Sequence, residues 1–498
     1  MRAERRVGIL AFLAAAPALA VPFIADDWIN LAAVAERLPL RTPFDYFRPL
    51  YLGSFWAELR VWGLNSVAFH LTNVVLVALC AAMVVVAVRR LTDDPRWAMA
   101  AGVLFAIHPY HVENAAWIAA RADVAATLLV LVAWLAYERW ARSGRGVPWI
   151  ALAAFEAALL FKESVVLFPI MAAVLVTLRR GWARREALAG ILPLGIVVVA
   201  HFLGLRRAFL GDSGLGPART LGVAWIKRGI DFFSGAIVPV HAERIESHPA
   251  LLALLAGILL LVLCWLARSA LRDQARAIVA SGLLFLASLA PSLLSFQERY
   301  FFFPSVVSST VLAYLLLRMP SRSRMVAGTL LLTIWIASLG AHWIDWLQAG
   351  RASRTLVEGL IEASRREGVS EIVIANQPYR VAGVPVAGDL RAAVRLSGGR
   401  DVRIVAATAL NLPAPSASGV EALPKAGGDG VELEVKLPRA PFSGLFLPFD
   451  RPPGTMRREE YGSLRFQEND RVTVGIERRE DSSRGAYAWH EGRLERLF

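Results

Sequence analysis

The chain has 498 residues, 56% of them hydrophobic and 19% charged, and its mean hydropathy is +0.49. A water-soluble protein of this length exposes too much surface to hide so many apolar side chains, so the composition excludes a string of soluble domains and calls for lipid as a second solvent. The net charge of +13 suggests a nucleic-acid partner only until it is placed: residues 344–498 hold 22 basic and 21 acidic side chains, and the excess lies among the apolar runs. Disorder, collagen and disulfide frameworks are excluded too, since no Gly-X-Y period exists and Cys80 and Cys264 are the only cysteines.

A helix needs about 20 apolar residues to cross roughly 30 Å of hydrocarbon. In chain order the apolar runs are 7–24, 67–88, 97–107, 112–137, 149–161, 164–178, 188–205, 249–267, 277–294, 300–317 and 325–343. Arginine clusters precede the first run and follow every second one after it, at Arg2/Arg5/Arg6, Arg89/Arg90/Arg96, Arg139/Arg142/Arg145, Arg179/Arg180/Arg184/Arg185, Arg268/Arg272/Arg276 and Arg318/Arg322/Arg324. The positive-inside rule places all six in the cytoplasm. The expectation is therefore an α-helical polytopic inner-membrane protein of about eleven transmembrane helices, with a cytoplasmic N-terminus and an extracytoplasmic, periplasmic C-terminal part.

Three segments need a decision. Run 7–24 has the basic start and the Ala18-Leu19-Ala20 step of a signal peptide, but it continues to an acidic pair that a membrane-face site needs, so it is read as the first span. Runs 149–161 and 164–178 are each short; arginines on both flanks require an even number of crossings, which favours two passes around Lys162 and Glu163. Residues 218–240 are apolar yet carry Lys227, Arg228 and Asp231, and they read as one or two amphipathic helices on the outer interface. The Gly211, Gly214 and Gly216 cluster follows no strand and reads as a loop.

From residue 344 the pattern changes to a helical stretch at 352–366, then short alternating or β-branched runs at 371–375, 402–406, 430–437, 472–477 and 486–490, punctuated by Gly and Pro. The expected domains are a transmembrane one at 1–343, with outer-face loops 25–66 and 206–248, and a small α/β or mostly-β extracytoplasmic soluble domain at 344–498.

Ionisable groups at bilayer depth cost at least about 2.5 kcal/mol on insertion scales. Those at the span ends here gather on the outer face: Asp26-Asp27, His108-Pro109-Tyr110-His111-Val112-Glu113, Arg121 with Asp123, Lys162-Glu163, and Gln297-Glu298-Arg299. Three short loops each hold a base and at least one acid, Arg121 with Asp123, Lys162 with Glu163 and Arg299 with Glu298; such a combination cancels the topological signal while supplying both charge types to a site. Plainer readings stand beside each. Asp26-Asp27 serves equally as a helix cap, the histidines with Glu113 as an incomplete metal group, the ion pairs as snorkelling side chains, and the aromatic stretch from Trp28 to Trp62 as an interfacial belt. Glu156 and His201, inside spans, are expected to pack against partners.

Phe47-Arg48-Pro49-Leu50, Gly63-Leu64-Asn65 and Phe69-His70-Leu71-Thr72-Asn73, followed by the HPxHxE segment, Arg121-Ala122-Asp123, Lys162-Glu163 and Glu298-Arg299-Tyr300 with Pro304-Ser305, form a succession. It resembles the transmembrane-and-tetratricopeptide O-mannosyltransferases of the protein O-mannosyltransferase superfamily, over roughly residues 7 to 343. Ala120 stands where that pattern has Gly, and the tetratricopeptide array is absent.

The resemblance implies a C-class (GT-C) integral-membrane glycosyltransferase. It implies a polyprenyl-phosphate-linked sugar, mannose or another hexose, as donor. The acceptor hydroxyl would belong to Ser or Thr of a protein, or to a lipid, cell-wall or lipopolysaccharide glycan. By the same resemblance Asp26 and Asp27 are the catalytic carboxylates, with Asp26 favoured as base. Arg48, His108, His111, Arg121, Lys162 and Arg299 bind the donor phosphate, and Glu113, Asp123, Glu163 and Glu298 position those groups. Transfer inverts the anomeric carbon; no metal ligand is assigned, and a divalent cation is left open. A lipid flippase or transporter is the non-enzymatic alternative, but it favours midplane charges and two related halves, neither of which is visible. A mere anchor for the soluble domain would need only one span.

Overall fold

The computed structural model describes residues 2–37, 39–143, 146–180, 184–210, 223–240, 249–266, 268, 275–293, 297–386, 388–417, 419–420, 430–436, 456–467, 471–479 and 483–498. The Gly211, Gly214 and Gly216 cluster lies outside the described residues. The helices are α1 (Arg2–Ala15), α2 (Asp26–Ala35), α3 (Pro49–Trp62), α4 (Ser66–Thr92), α5 (Pro95–Ala106), α6 (His111–Ala116), α7 (Arg121–Ser143), α8 (Trp149–Phe161), α9 (Phe168–Arg180) and α10 (Arg184–Val199). After them come α11 (Arg207–Leu210), α12 (Val223–Ile237), α13 (Pro249–Leu266), α14 (Ala275–Leu289), α15 (Pro304–Arg318), α16 (Ser321–Ser364) and α17 (Leu390–Leu396). Contacts divide the chain into Met1–Leu19 with Ala33–Trp343, and Ala20–Ala32 with Ile344–Phe498. Residues 20–32, which the sequence reading keeps with the spans, thus group with the C-terminal part.

Local chemistry sets the helix ends in the first unit. Asn65 caps α4 by accepting from Ala68 N–H; the helix stops at Asp93 in the left-handed region, with Arg89 and Arg90 complementing the dipole of its last turn. Asp94 then caps α5, accepting from Arg96 and Trp97 N–H, and Pro95 occupies the first helical position where its missing donor costs nothing. Large apolar side chains point outward from the helices, among them Leu13, Ile196, Leu261, Trp265, Leu286 and Val326, a surface suited to lipid.

Among the described residues, four of the eleven runs form helices long and apolar enough to cross a membrane: Ser66–Thr92, Ile118–Ser143, Gly190–Phe209 and Ser321–Ser364. Others form apolar helices of 10–17 residues, including Trp149–Phe161 and Pro304–Arg318. The fourth run differs from expectation at its start. α6 ends at Trp117, whose backbone is extended, and the long helix begins beyond it. α12 lies within the segment read as amphipathic: Phe232 and Ser234 are buried, whereas Ile226 and Ile230 are exposed. Its buried side joins Tyr110, Ala256, Leu289 and Phe301 in an apolar cluster. Gly235 is required there, because a Cβ would lie 2.4 Å from Cε2 of Tyr110. Glu156 and His201 do meet, Nδ1 to Oε1 at 2.9 Å, where π-helical turns follow α10.

In the second unit the described strands are β1 (Glu371–Ile374), β2 (Gln377–Val381), β3 (Val384–Pro385), β4 (Arg403–Ala406), β5 (Ala409–Leu412), β6 (Gly430–Lys436), β7 (Met456–Glu459), β8 (Gly462–Phe466), β9 (Arg471–Glu477), β10 (Arg484–His490) and β11 (Arg493–Arg496). They form sheets in the orders β11-β10-β1-β4, β3-β2-β5 and β6-β9-β8-β7. β6 alternates buried Val431, Leu433 and Val435 with exposed Glu432, Glu434 and Lys436, the period of a half-buried antiparallel strand. β1 and β10 pair in parallel and are buried almost throughout. Arg484 enters this core because every nitrogen finds an acceptor: Nε on Glu371 Oε2 at 2.5 Å, and the others on the carbonyls of Glu460, Tyr461 and Glu477.

Candidate functional site

Backbone geometry decides which charges meet. Lys162 is extended between α8 and a 3₁₀ turn at Glu163–Val165, so the two neighbouring side chains leave the chain in different directions. Lys162 Nζ reaches Asp123 Oδ1 at 2.5 Å, while Glu163 receives two parallel bonds from Arg48, Nε at 3.0 Å and Nη2 at 2.7 Å. Gln297 is extended before a second 3₁₀ turn, Glu298–Phe301, with a similar result. Arg299 gives its backbone N–H and its Nη1 to Glu113, both at 2.8 Å, and Glu298 Oε2 lies 3.3 Å from Nε2 of His342. Each of these cations takes its acid from another loop and not from its sequence neighbour, because consecutive residues across such a bend diverge.

These pairs gather around one aromatic ring. Lys162 Nζ is 4.2 Å and Arg299 Cζ 5.0 Å from the centroid of Tyr300; Arg299 also lies 4.1 Å above Trp117. Arg48 stands near enough to feel both Tyr300 and Asp123. Burial would raise the Glu163 carboxyl, but Arg48, bonded and opposite in charge, holds it at about 2; in return, despite burial, the Arg48 guanidinium is raised above its ordinary value. The result is a set of carboxylate-steadied cations in largely apolar surroundings.

The HPxHxE histidines sit in an aromatic cage. His108 packs against Tyr110, Phe301 and Trp335, and His111 against Phe105 and Phe302. Burial, with His111 and His342 alongside, holds His108 well below the usual imidazole range, and burial pushes His111 down to about 3, so both are neutral near pH 7. Ser305 Oγ donates to the Phe302 carbonyl, so His111 Nε2–H donates to Ser305 at 2.9 Å. His108 Nδ1 accepts from Tyr110 N–H, which leaves the proton on Nε2. Among the described residues no three His, Cys, Asp or Glu side chains are grouped to hold a metal ion.

Arg121 is turned elsewhere. Its Nε donates to Asn73 Oδ1 at 2.8 Å, Nη1 to Ser54 Oγ at 3.3 Å and Nη2 to the Phe69 carbonyl at 2.9 Å, with Glu58 Oε2 also 2.8 Å from Nη2. With 1% of its side chain exposed and the rings of Phe55 and Phe69 beside it, the guanidinium ties α3, α4 and α7 together.

Asp26 and Asp27 lie at the start of α2, in the second unit. Ala25 precedes them with φ of 45° and bonds through its N–H to the Val386 carbonyl. Asp27 is fully buried and accepts from Ile24 N–H at 3.1 Å, which fixes the turn. Asp26 is half-buried; burial raises the Tyr379 phenol above its ordinary value, and the nearby Asp26 charge adds to that. The two carboxylates thus differ: Asp27 is engaged with its own backbone, and Asp26 lies within electrostatic reach of Tyr379.

Glu58, Tyr300, His342 and Tyr379 take part in these arrangements and were absent from the expected site residues. An ionisable side chain inside an apolar run was a usable signal for His342; Tyr379 had none. Within the first unit a cavity of about 710 Å³ is lined by apolar residues of α4, α7, α9, α12, α14 and α15, including Val88, Trp134, Phe168, Phe233, Leu284 and Val307. Its wall includes Phe303, a few residues beyond Arg299.

No protein-family model matches this chain. It is 38% identical over 128 residues to the protein O-mannosyl-transferase Tmtc2 of Drosophila melanogaster, covering 24% of this chain and 14% of that protein. It is 40% identical over 91 residues to TMTC2 of Homo sapiens, covering 18% and 11%, and 30% identical over 103 residues to TMTC3 of Mus musculus, covering 21% and 11%. The chain thus matches only about a seventh or less of the length of these relatives. The motif likeness and these similarities point to the same group, the transmembrane-and-tetratricopeptide O-mannosyltransferases.

Proposed function

We propose that this chain is a membrane glycosyltransferase of the C class, moving mannose or another hexose from a polyprenyl phosphate to a protein Ser or Thr hydroxyl on the extracytoplasmic face. One observation carries the reading: Lys162 and Arg299 stand over Tyr300 with Arg48 within electrostatic reach of it, three cations drawn from three separate loops with a carboxylate steadying each. Such cations offer charge-assisted donors to a phosphate whose charge grows as the glycosidic bond breaks. The printed names of the similar proteins, and an apolar cavity able to take part of a prenyl chain, support the same reading. The eleven-crossing topology remains part of the proposal, since it rests on the arginine clusters.

Within it, Asp26 removes the acceptor proton and Asp27 holds the turn that carries it. Attack by the acceptor oxygen on the anomeric carbon expels the polyprenyl phosphate and inverts that carbon. Lys162, Arg48 and Arg299 bind the leaving phosphate; Glu163, Asp123 and Glu113 hold the cations, and His108 and His111 shape the HPxHxE turn. Arg121 belongs to the scaffold in this scheme. A glycan acceptor is the second reading, favoured because the sheets of residues 344–498 are unlike a tetratricopeptide array.

The test uses the full chain in nanodiscs with labelled polyprenyl-phosphate mannose and a Ser/Thr peptide. Asp26→Asn should lose roughly 10²-fold or more in transfer, the scale of general base catalysis. Full transfer by both Asp26→Asn and Asp27→Asn removes the carboxylates from the chemistry, and transfer only to glycolipid selects the second reading.

A further inference from the structure

The loop that delivers Arg48 closes on itself. Arg41 and Phe47 pair as an antiparallel bridge, Thr42 N–H donates to the Tyr46 carbonyl at 2.9 Å, and Tyr46 N–H donates to Thr42 Oγ1 at 3.1 Å, with Asp45 in the left-handed region at φ of 60°. Pro49 opens α3 and disfavours helical backbone at the residue before it, so one constrained residue, Arg48, joins the loop to the helix. Both ends of the loop rest on Phe209 of α11. Arg41 Nε and Nη2 donate to the Phe209 carbonyl at 3.0 and 2.7 Å, and the Phe209 ring stacks on that of Phe47, centroids 5.1 Å apart and planes 7° from parallel. This footing is tied in turn to α8: the His201 ring stands 6.1 Å from Phe47, and its Nδ1 lies 2.9 Å from Glu156 Oε1. α8 leads directly to Glu163, the acid that Arg48 reaches, and the Arg48 guanidinium lies 4.3 Å from the ring centroid of Tyr46 in the loop itself. A circuit from α8 through His201, Phe47 and Arg48 back to Glu163 therefore fixes the guanidinium from two sides.

We propose that Phe209 is a positioning residue for Arg48: its ring and carbonyl seat the 41–47 loop so that the guanidinium meets Glu163 and, with it, the donor phosphate. The phosphate part rests on the function proposed above; the seating of the loop does not. Phe47 is 5% exposed whereas Phe209 is 42% exposed, so removing the Phe209 ring uncovers Phe47 without hollowing the core. The loop then loses its stacked footing while the Phe209 carbonyl still accepts from Arg41, and the guanidinium, which lies against Tyr46 of that loop, is no longer held in register with Glu163.

The test uses the full chain in nanodiscs near pH 7. Thermal midpoints of the parent, Phe209→Ala, Glu163→Gln and the double variant close a cycle that needs no sugar transfer. The midpoint drop caused by Phe209→Ala should be clearly smaller in the Glu163→Gln background, because the pair that the ring aligns is already gone, and Phe209→Tyr, which keeps the ring, should match the parent. Equal drops in the two backgrounds overturn the inference. In transfer from labelled polyprenyl-phosphate mannose, Phe209→Ala should lower kcat/KM for the donor by about 2- to 10-fold, the range an aromatic pair contributes, and should add no further loss to Arg48→Met. In an active protein, an unchanged kcat/KM or the same loss in the Arg48→Met background also overturns it. Where Phe209→Ala does not fold, Phe209→Leu, the milder truncation, carries both cycles. A coupled midpoint cycle in a protein that transfers no sugar would sink the proposed function and leave the seating of the Arg48 loop standing.

Discussion

Replacing Arg121 by Met separates a scaffold role from a ligand-binding one. The guanidinium is fully buried and satisfies Asn73, Ser54, the Phe69 carbonyl and Glu58 at once. Removing it leaves the Glu58 carboxylate, with 12% of its side chain exposed, without its cation. Breaking one side of a buried pair costs about 3–5 kcal/mol. At roughly 2–4 °C per kcal/mol for a unit of this size, the midpoint should fall by roughly 6–20 °C. The assay is thermal unfolding in nanodiscs of the parent, Arg121→Met, Glu58→Met and the double variant, closed as a cycle. The double variant should recover much of the loss, because no charge remains stranded. Arg121→Lys should lie between, since an ammonium cannot reach every acceptor of the planar fork. A midpoint of Arg121→Met within about 2 °C of the parent, alongside abolished sugar transfer, would show the guanidinium to be a donor-phosphate ligand and refute the scaffold argument.

Other outcomes follow from the same contacts. Glu163 is held at about 2 against an ordinary carboxyl near 4.5, so the Arg48 pair contributes at pH above about 4.5 and fades as pH falls toward 2; the midpoint difference between parent and Glu163→Gln, traced against pH, should shrink over that window, and a pH-independent difference contradicts it. Gly235→Ala drives a methyl into the Tyr110 ring and should cost about 1–3 kcal/mol of stability, read as a lower midpoint. In the second unit, Arg484→Met removes the nearest of three arginines around Glu371, Arg403 and Arg479 remaining at 3.6 and 3.7 Å, and takes the donor from the carbonyls of Glu460, Tyr461 and Glu477; it should cost about 1–3 kcal/mol, visible as faster limited proteolysis between residues 371 and 498 in the full chain. Lys162→Met leaves Asp123 without its cation and should lower transfer in the nanodisc assay while Tyr300→Phe, which keeps the ring, retains it; equal losses would show that the Tyr300 hydroxyl, and not the ring alone, is needed.

What the linear chain settles is what short-range pattern can carry. The lipid solvent follows from composition, the strand at β6 from its alternation, and the break between α4 and α5 from Asp93-Asp94-Pro95, because each signal is complete within a few residues. The loop charges were legible as a group for the same reason: ionisable residues stand out at the ends of apolar runs. Their partnerships were not. Lys162 binds Asp123 rather than Glu163, and Arg299 binds Glu113 rather than Glu298, across separations of 39 and 186 residues. Adjacent side chains on an extended bend diverge, so only packing selects the partner. The same packing turns Arg121 into the scaffold and brings His342 against Glu298, outcomes that no local spacing encodes.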